Sequence, residues 1–581
     1  MHAHLPILTH IHSTGVFENP MAGAHHKLGE LLHHTRRRSA AALDKAMSPL
    51  CSLSRSYAQH HVTERVARWR RALAGGRFWP HRGSLLVHVA YFLAISWLGY
   101  LLLAQLRFRA PPGDGRRRPR GIDLFFTAVS AATVSSMSTV EMEVFSQGQL
   151  LVLTALMFVG GEVFISLLGL ASKWSKLRRQ AANVASKWPC LQSQGDKGVE
   201  FETRLPVADV DIPTSAITED ETTGISPMDS KRLRRDAVGS LFFFVLAILL
   251  AVHVLGAVSI ATYIYASPAV KRTLREKALN VWTFAVFTTV STFSSCGYMP
   301  NNENMVVFKR DTGLQLLLVP QALVGNTLFP PLLAACVRAA AAATRRPELV
   351  EMARDGRELT GYYHLLPARR CAMLAATVTG LVGVQVALVC GMEWGGALQG
   401  MSPWEKLSNA LFLAVNSRHT GESTLDISTL ASAILVLFVL MMYLPPYTTW
   451  FPFEESSITK GRHEESQGIR LLKSTVLSQL SYLTIFVIAI CITERENIKE
   501  DPLNFNLLSI IVEVVSAYGN VGFSMGYSCS RQINADQLCT DRWTGFAGRW
   551  SDSGKLILIL VMLFGRLKKF SMKGGKAWKL S

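Results

Sequence analysis

A chain of 581 residues that is 49% hydrophobic and only 18% charged carries too few charges for a soluble protein of its size, which averages about a quarter. Its formal charge of +18 sits in segments between apolar runs, as in cytosolic loops flanking membrane spans. No zinc-finger module accompanies it, so nucleic acid is excluded as a partner. With no P-loop, no helical metal-ligand pair and no nucleophile motif, the chain reads as no enzyme and implies no cofactor.

Residues 1–82 form a basic, His-rich tail without an apolar run of signal-peptide length. Its histidines, among them His25, His26, His33 and His34, read as a disordered cytosolic tail rather than a metal site, because no ligand spacing repeats. Translation from Met47 would leave a shorter tail.

Eight apolar segments follow, at 83–106, 148–172, 238–265, 313–338, 371–392, 427–449, 474–492 and 554–572. Each approaches the roughly 20 residues that a helix needs to cross a bilayer core. Inside each successive pair lies a shorter apolar segment, at 122–136, 279–297, 405–421 and 504–522. The expected fold is therefore all-α and polytopic, with four membrane-pore-membrane repeats around a pseudo-fourfold pore. Repeat A covers 83–172, B 238–338, C 371–449, and D with the basic C-terminus 474–581; cytosolic linkers fill 173–237, 339–370 and 450–473. An even number of spans places both termini in the cytosol. The Arg107–Arg120 loop, with its six arginines, alone opposes that orientation. Pro320, Pro330, Pro331, Pro445 and Pro446 predict kinks in the fourth and sixth spans, where a gate could sit.

The short segments are variations on one phrase. Phe287–Tyr298 reads FTTVSTFSSCGY, and Phe126–Met137 (FTAVSAATVSSM) lies on it without a gap. Leu411–Glu422 (LFLAVNSRHTGE) and Val512–Phe523 (VEVVSAYGNVGF) complete the set. In register these give Ser136, Gly297, Gly421 and Gly522. Backbone carbonyls can replace a cation's hydration shell, and glycine most easily permits the positive φ that such a ring requires. The residues just before, Ser135, Cys296, Thr420 and Val521, would supply further carbonyls. A serine at one quadrant predicts a narrower or asymmetric ring; the alternative is that Ser136 packs behind it.

Other readings stay open between two roles. Glu162 is either a functional intramembrane carboxylate or a structural one tying units together. Glu141, Glu143 and Glu422 follow the filter phrases and form either a cation-concentrating funnel or a merely solvated vestibule. Arg566 lies in a short last span and is either a positive barrier near the pore axis or, with Lys568 and Lys569, snorkels to the interface. Cys529 and Cys539 share an outer polar loop, where a disulfide and two free thiols are both open.

The phrases TVSSMSTVEMEVFS (133–146), GGEVFISLLGL (160–170), STFSSCGYMPNNENM (291–305), NSRHTG (416–421), YLPPYT (443–448) and YGNVGFSMGYSC (518–529) resemble the plant high-affinity potassium transporter (HKT) family of the Trk/Ktr superfamily. The resemblance covers residues 80–581. It implies passive Na+ or K+ movement across the plasma membrane, filter positions Ser136, Gly297, Gly421 and Gly522, and a homodimer with a pore in each subunit. Serine at the first filter position implies the Na+-selective subclass. In a plant, that would serve Na+ homeostasis and salt tolerance, with Na+ held only transiently at the filter. A K+-permeable transporter or Na+/K+ symporter of the same fold, and an alternating-access carrier, are the alternatives. The long tail and the arginine-rich 107–120 loop depart from the family pattern.

Overall fold

Each pore segment read from the sequence folds as a short helix that begins on a cap and ends on a break. Asn280 caps the second, accepting from the Trp282 N–H at 2.9 Å. Ser402 and Glu405 close a reciprocal capping box on the third, and Asn506 accepts from the Ser509 N–H on the fourth. The first has no such cap. Its opening turn instead carries Asp123, which accepts from Lys555 Nζ at 2.7 Å.

The computed structural model describes residues 82–109, 118–187, 227–449, 479–533 and 539–571. Leu85 onward forms one compact unit; of the separate unit 1–84 only the first turn of a helix is described. The His-rich tail and Met47, Arg116 and Arg117 of the 107–120 loop, the middle of the 173–237 linker and the whole 450–473 linker lie outside the described residues.

Repeat A comprises α1 (Arg82–Gln105), the pore helix α2 (Gly121–Ala132), α3 (Gln147–Gly160) and α4 (Glu162–Lys187). Repeat B comprises α5 (Pro227–Ala266), α6 (Pro268–Glu276), the pore helix α7 (Val281–Phe293), α8 (Thr312–Gly325) and α9 (Phe329–Thr344). After α10 (Pro347–Thr360), repeat C comprises α11 (Ala368–Glu393), the pore helix α12 (Pro403–Asn416) and α13 (Ser432–Tyr443). Repeat D comprises α14 (Gln479–Thr493), α15 (Arg495–Glu500), the pore helix α16 (Leu507–Gly519) and α17 (Asp552–Ser571). The described residues are helical and irregular, without strands.

The spans are less uniform than eight straight helices. Among the described residues, three helices are long and apolar enough alone, and five if two bent pairs count as one span each. The α3–α4 pair bends by 56° at Gly161, and α8–α9 by 79° at residues 326–328, immediately before Pro330 and Pro331. The sixth span shrinks to the 12 residues of α13, because Pro445 and Pro446 cannot continue the helix. Helix also reaches into the segments read as linkers. The third span belongs to a 40-residue helix that starts at Pro227, and α10 occupies much of 339–370.

Packing closes the four repeats into a circle. The α3 helix lies on α7, α8 on α12, α13 on α16, and α17 returns to α2. The second outer helix of every repeat thus supports the pore helix of the next.

Candidate functional site

The pore helices end on backbone that only a few residues tolerate. Gly297, Gly421 and Gly522 have φ of +89°, +71° and +107°, and Ser136 occupies the same left-handed region at +54°. Two residues earlier, Val134, Ser295 and Asn520 are also left-handed. The third loop differs: His419 at that register is tied to the Val415 carbonyl at 2.6 Å and to Thr327 Oγ1 at 2.7 Å.

These four positions form a ring in chain order. A Cβ on Gly297 would meet the Thr420 carbonyl at 1.7 Å, and one on Gly421 the Val521 carbonyl at 2.2 Å. One on Gly522 would meet Ser136 Oγ at 2.2 Å and the Ser135 carbonyl at 3.0 Å. Cys296 closes the circle against the backbone of Ser136. The residues read from the sequence as filter and flanking positions therefore converge, and the one side chain among the four ring positions, Ser136, points toward Gly522. Asn520 Nδ2 braces this quadrant by donating to Ser135 Oγ at 2.8 Å and to the Met562 carbonyl at 3.1 Å.

Ser136, Gly421 and Gly522 open on a cavity of about 330 Å³ whose wall includes Asn304, Asp426 and Trp543. At its rim Lys277 Nζ sits 2.7 Å from Glu143 and 2.6 Å from Glu303. Burial alone would lower the Lys277 pKa, but the two carboxylates outweigh it and hold the ammonium above its ordinary range. Glu141 accepts from the Trp543 N–H. Cys529 and Cys539 are joined as a disulfide in the loop that carries this wall. Glu422 does not stand in the vestibule: it is fully buried, accepting from Thr292 Oγ1 at 2.6 Å. The reason is steric, because Gly421 turns the chain so that Ser423, not Glu422, faces the cavity.

A second cavity, of about 60 Å³, lies at the pore-helix ends and is bordered by Glu162, Arg418, Tyr447, Lys568 and Lys569. Arg566 is buried with 2% exposure, and its Nη2 donates to the Gly160 carbonyl at the α3–α4 break. It does not snorkel to an interface. Lys569 donates to the Gly519 carbonyl at 2.7 Å, and Lys568 lies over the Tyr518 ring. Glu162 Oε1 lies 3.8 Å from His364 Nε2, and His364 Nδ1 is 2.6 Å from the Tyr447 hydroxyl.

Several residues here escaped the sequence reading. Arg418 binds the carbonyls of Pro445 and Pro446, pinning the interruption after α13. Gly160, Gly325 and Gly565 each lie so close to a pore-helix end that a Cβ would stand 2.0 Å from the carbonyl of Ala132, Phe293 and Tyr518 respectively. Their signal was present as a glycine inside three of the second apolar runs. For Arg418 no local pattern exists.

A family model described as cation transport protein (TrkH) matches residues 229–450 and 460–573. The chain is similar to a probable cation transporter HKT1;4 of Oryza sativa subsp. japonica, with 71% identity over 88% of this chain and 99% of the relative. It is 45% identical to a sodium transporter HKT1 of Arabidopsis thaliana over 80% of this chain and 89% of the relative. Among solved structures, the potassium transporter TrkH from Vibrio parahaemolyticus aligns over 86% of this chain and 85% of its own, at 15% identity and a TM-score of 0.46.

Proposed function

Because the chain belongs to the TrkH family of cation transport proteins, among its plant HKT members, we propose that this multi-pass membrane cation transporter is a Na+-selective uniporter. It moves Na+ passively down its electrochemical gradient across the plasma membrane, with both termini cytosolic, and serves Na+ homeostasis and salt tolerance. The supporting observation is the single side chain at a filter position, Ser136 Oγ, in the space that a Cβ on Gly522 would need. A hydroxyl there narrows one quadrant and reduces the well-placed carbonyls available to a large ion, and a small one loses less. The name of the Arabidopsis relative, a sodium transporter, agrees in sign.

Below the ring, partial negative charge at the pore-helix ends attracts a cation, and Arg566, Lys568 and Lys569 oppose it. Arg566 is therefore read as a barrier that limits flux. A homodimer with one pore per subunit is the accompanying expectation.

The test is the reversal potential in oocytes as bath Na+ and K+ are exchanged. Wild type should follow Na+ alone. Ser136→Gly should lower the Na+/K+ permeability ratio by about tenfold, equivalent to about 1.4 kcal/mol. A wild-type potential that follows K+ as strongly as Na+ would replace this reading with that of a K+-permeable transporter.

A further inference from the structure

Glu422 is a carboxylate with 0% exposure in a place where nothing neutralises it. Thr292, itself fully buried on α7, donates to Oε1 at 2.6 Å. Oε2 has no hydrogen-bond partner, and no ion pair among the described residues involves Glu422. Arg418, four residues earlier, donates through Nη2 to the carbonyls of Pro445 and Pro446 and forms no ion pair with Glu422. A buried carboxylate with one hydrogen bond is costly unless a proton or a cation offsets its charge.

Its position selects the cation. Glu422 directly follows the filter glycine Gly421, and its own N lies 3.4 Å from where a Cβ of Gly297 would stand. The side chain is thus wedged between the second and third filter segments, with Gly421 and Ser423 on either side in the vestibule wall. The other filter carbonyls are dipoles without formal charge, and Glu143 at the rim is already paired with Lys277. In a water-poor surround, a unit charge packed behind the ring acts more strongly than the same charge at the solvated rim.

We propose that Glu422 is ionised in the working pore and that the permeating cation in the filter is its counter-ion, making Glu422 a positioning residue that sets cation affinity without selecting between Na+ and K+. This rests on the reading of Ser136, Gly297, Gly421 and Gly522 as the filter. It separates two properties: the serine biases which ion fits, and the buried carboxylate sets how firmly any monovalent cation is held.

The experiment is a Na+ concentration series in oocytes, with currents normalised to surface protein, on wild type, Glu422→Gln and Glu422→Asp, with Ser136→Gly alongside. Glutamine keeps an acceptor for Thr292 and removes the charge. Glu422→Gln should raise the half-saturating Na+ concentration about tenfold and leave the Na+/K+ permeability ratio within about twofold of wild type, and Glu422→Asp should stay near wild type in both. Unchanged half-saturation in Glu422→Gln would mean a neutral carboxyl acting as a strut, and would overturn the proposal. An equal loss in Glu422→Asp would overturn it too, because geometry rather than charge would then govern. If Ser136→Gly leaves the permeability ratio unchanged while Glu422→Gln shifts half-saturation, the serine reading fails and the counter-ion stands. Should Glu422→Gln not reach the surface, the purified protein decides. Wild type should gain thermal stability in NaCl over N-methyl-D-glucamine chloride at equal ionic strength and Glu422→Gln should not; equal gains would overturn the proposal.

Discussion

At the scale of single residues, the first of the four loops stores strain at the ring position where the other three have glycine. Ser136 holds φ at +54°, a conformation that costs a non-glycine residue about 1–2 kcal/mol. Asn520 offsets part of this by holding the neighbouring Ser135. Arg566 is the second residue whose placement carries a prediction. With its guanidinium fixed on the Gly160 carbonyl, its charge stands permanently at the pore-helix ends. Arg566→Gln should raise inward Na+ current severalfold per surface molecule. Unchanged current would reduce Arg566 to a brace for the α3–α4 break. The register of Ser136 with three glycines was legible in the sequence because it needs only a gapless alignment of four phrases. The burial of Glu422 was not, because a carboxylate after a filter glycine reads as vestibule until the turn at Gly421 is known.

At the scale of elements, close approach between helices decides which glycines matter. Gly325 has the Phe293 carbonyl where a Cβ would go, and the obstacle is backbone, which cannot swing aside. Gly325→Ala should therefore cost about 3 kcal/mol, near the top of the usual overpacking range, seen as a lower melting temperature and reduced surface expression. Gly383, in the middle of α11, has nothing within 4 Å of its missing Cβ. Gly383→Ala should be neutral, or stabilising by up to about 1 kcal/mol, in the same assay. The third repeat has no such glycine: α13 ends at Tyr443, followed by Leu444, Pro445 and Pro446. The pore helices were legible from their apolar length and Ser/Thr-rich endings. The bends of 56° and 79° were legible only where prolines marked them, because Gly161 breaks its span without a proline. The end of α13 was marked by Pro445 and Pro446, but its late start at Ser432 was hidden, because 427–431 is as apolar at its edges as the helix that follows.

At the scale of the whole molecule, the circle closes where repeat D meets repeat A. Lys555 and Asp123, with side chains 2% and 11% exposed, pair at 2.7 Å across that seam. Arg120 and Asp552 pair nearby but are 59% and 55% exposed. Asp123 also meets Arg120 Nε at 3.3 Å, so removing Lys555 leaves its charge only partly compensated, and Lys555→Met should destabilise the protein by about 3 kcal/mol, the low end of the cost of breaking a buried pair. Asp552→Asn on the exposed pair should cost less than about 1 kcal/mol. Thermal melting of both variants tests the ranking, and equal effects would mean that the seam is held by apolar packing instead.

The fourfold arrangement is written out as four separate passages of one polypeptide, and this has an evolutionary consequence. In an assembly of four identical subunits, any codon change is imposed on every quarter of the opening at once, and most such changes would be lethal to conduction. After duplication and fusion, each quarter can drift alone. A single substitution then alters a quarter of the aperture, and an intermediate with three ancestral quarters still conducts. A serine beside three glycines is a state that four identical subunits cannot hold, whereas a single chain can alter its quarters one at a time.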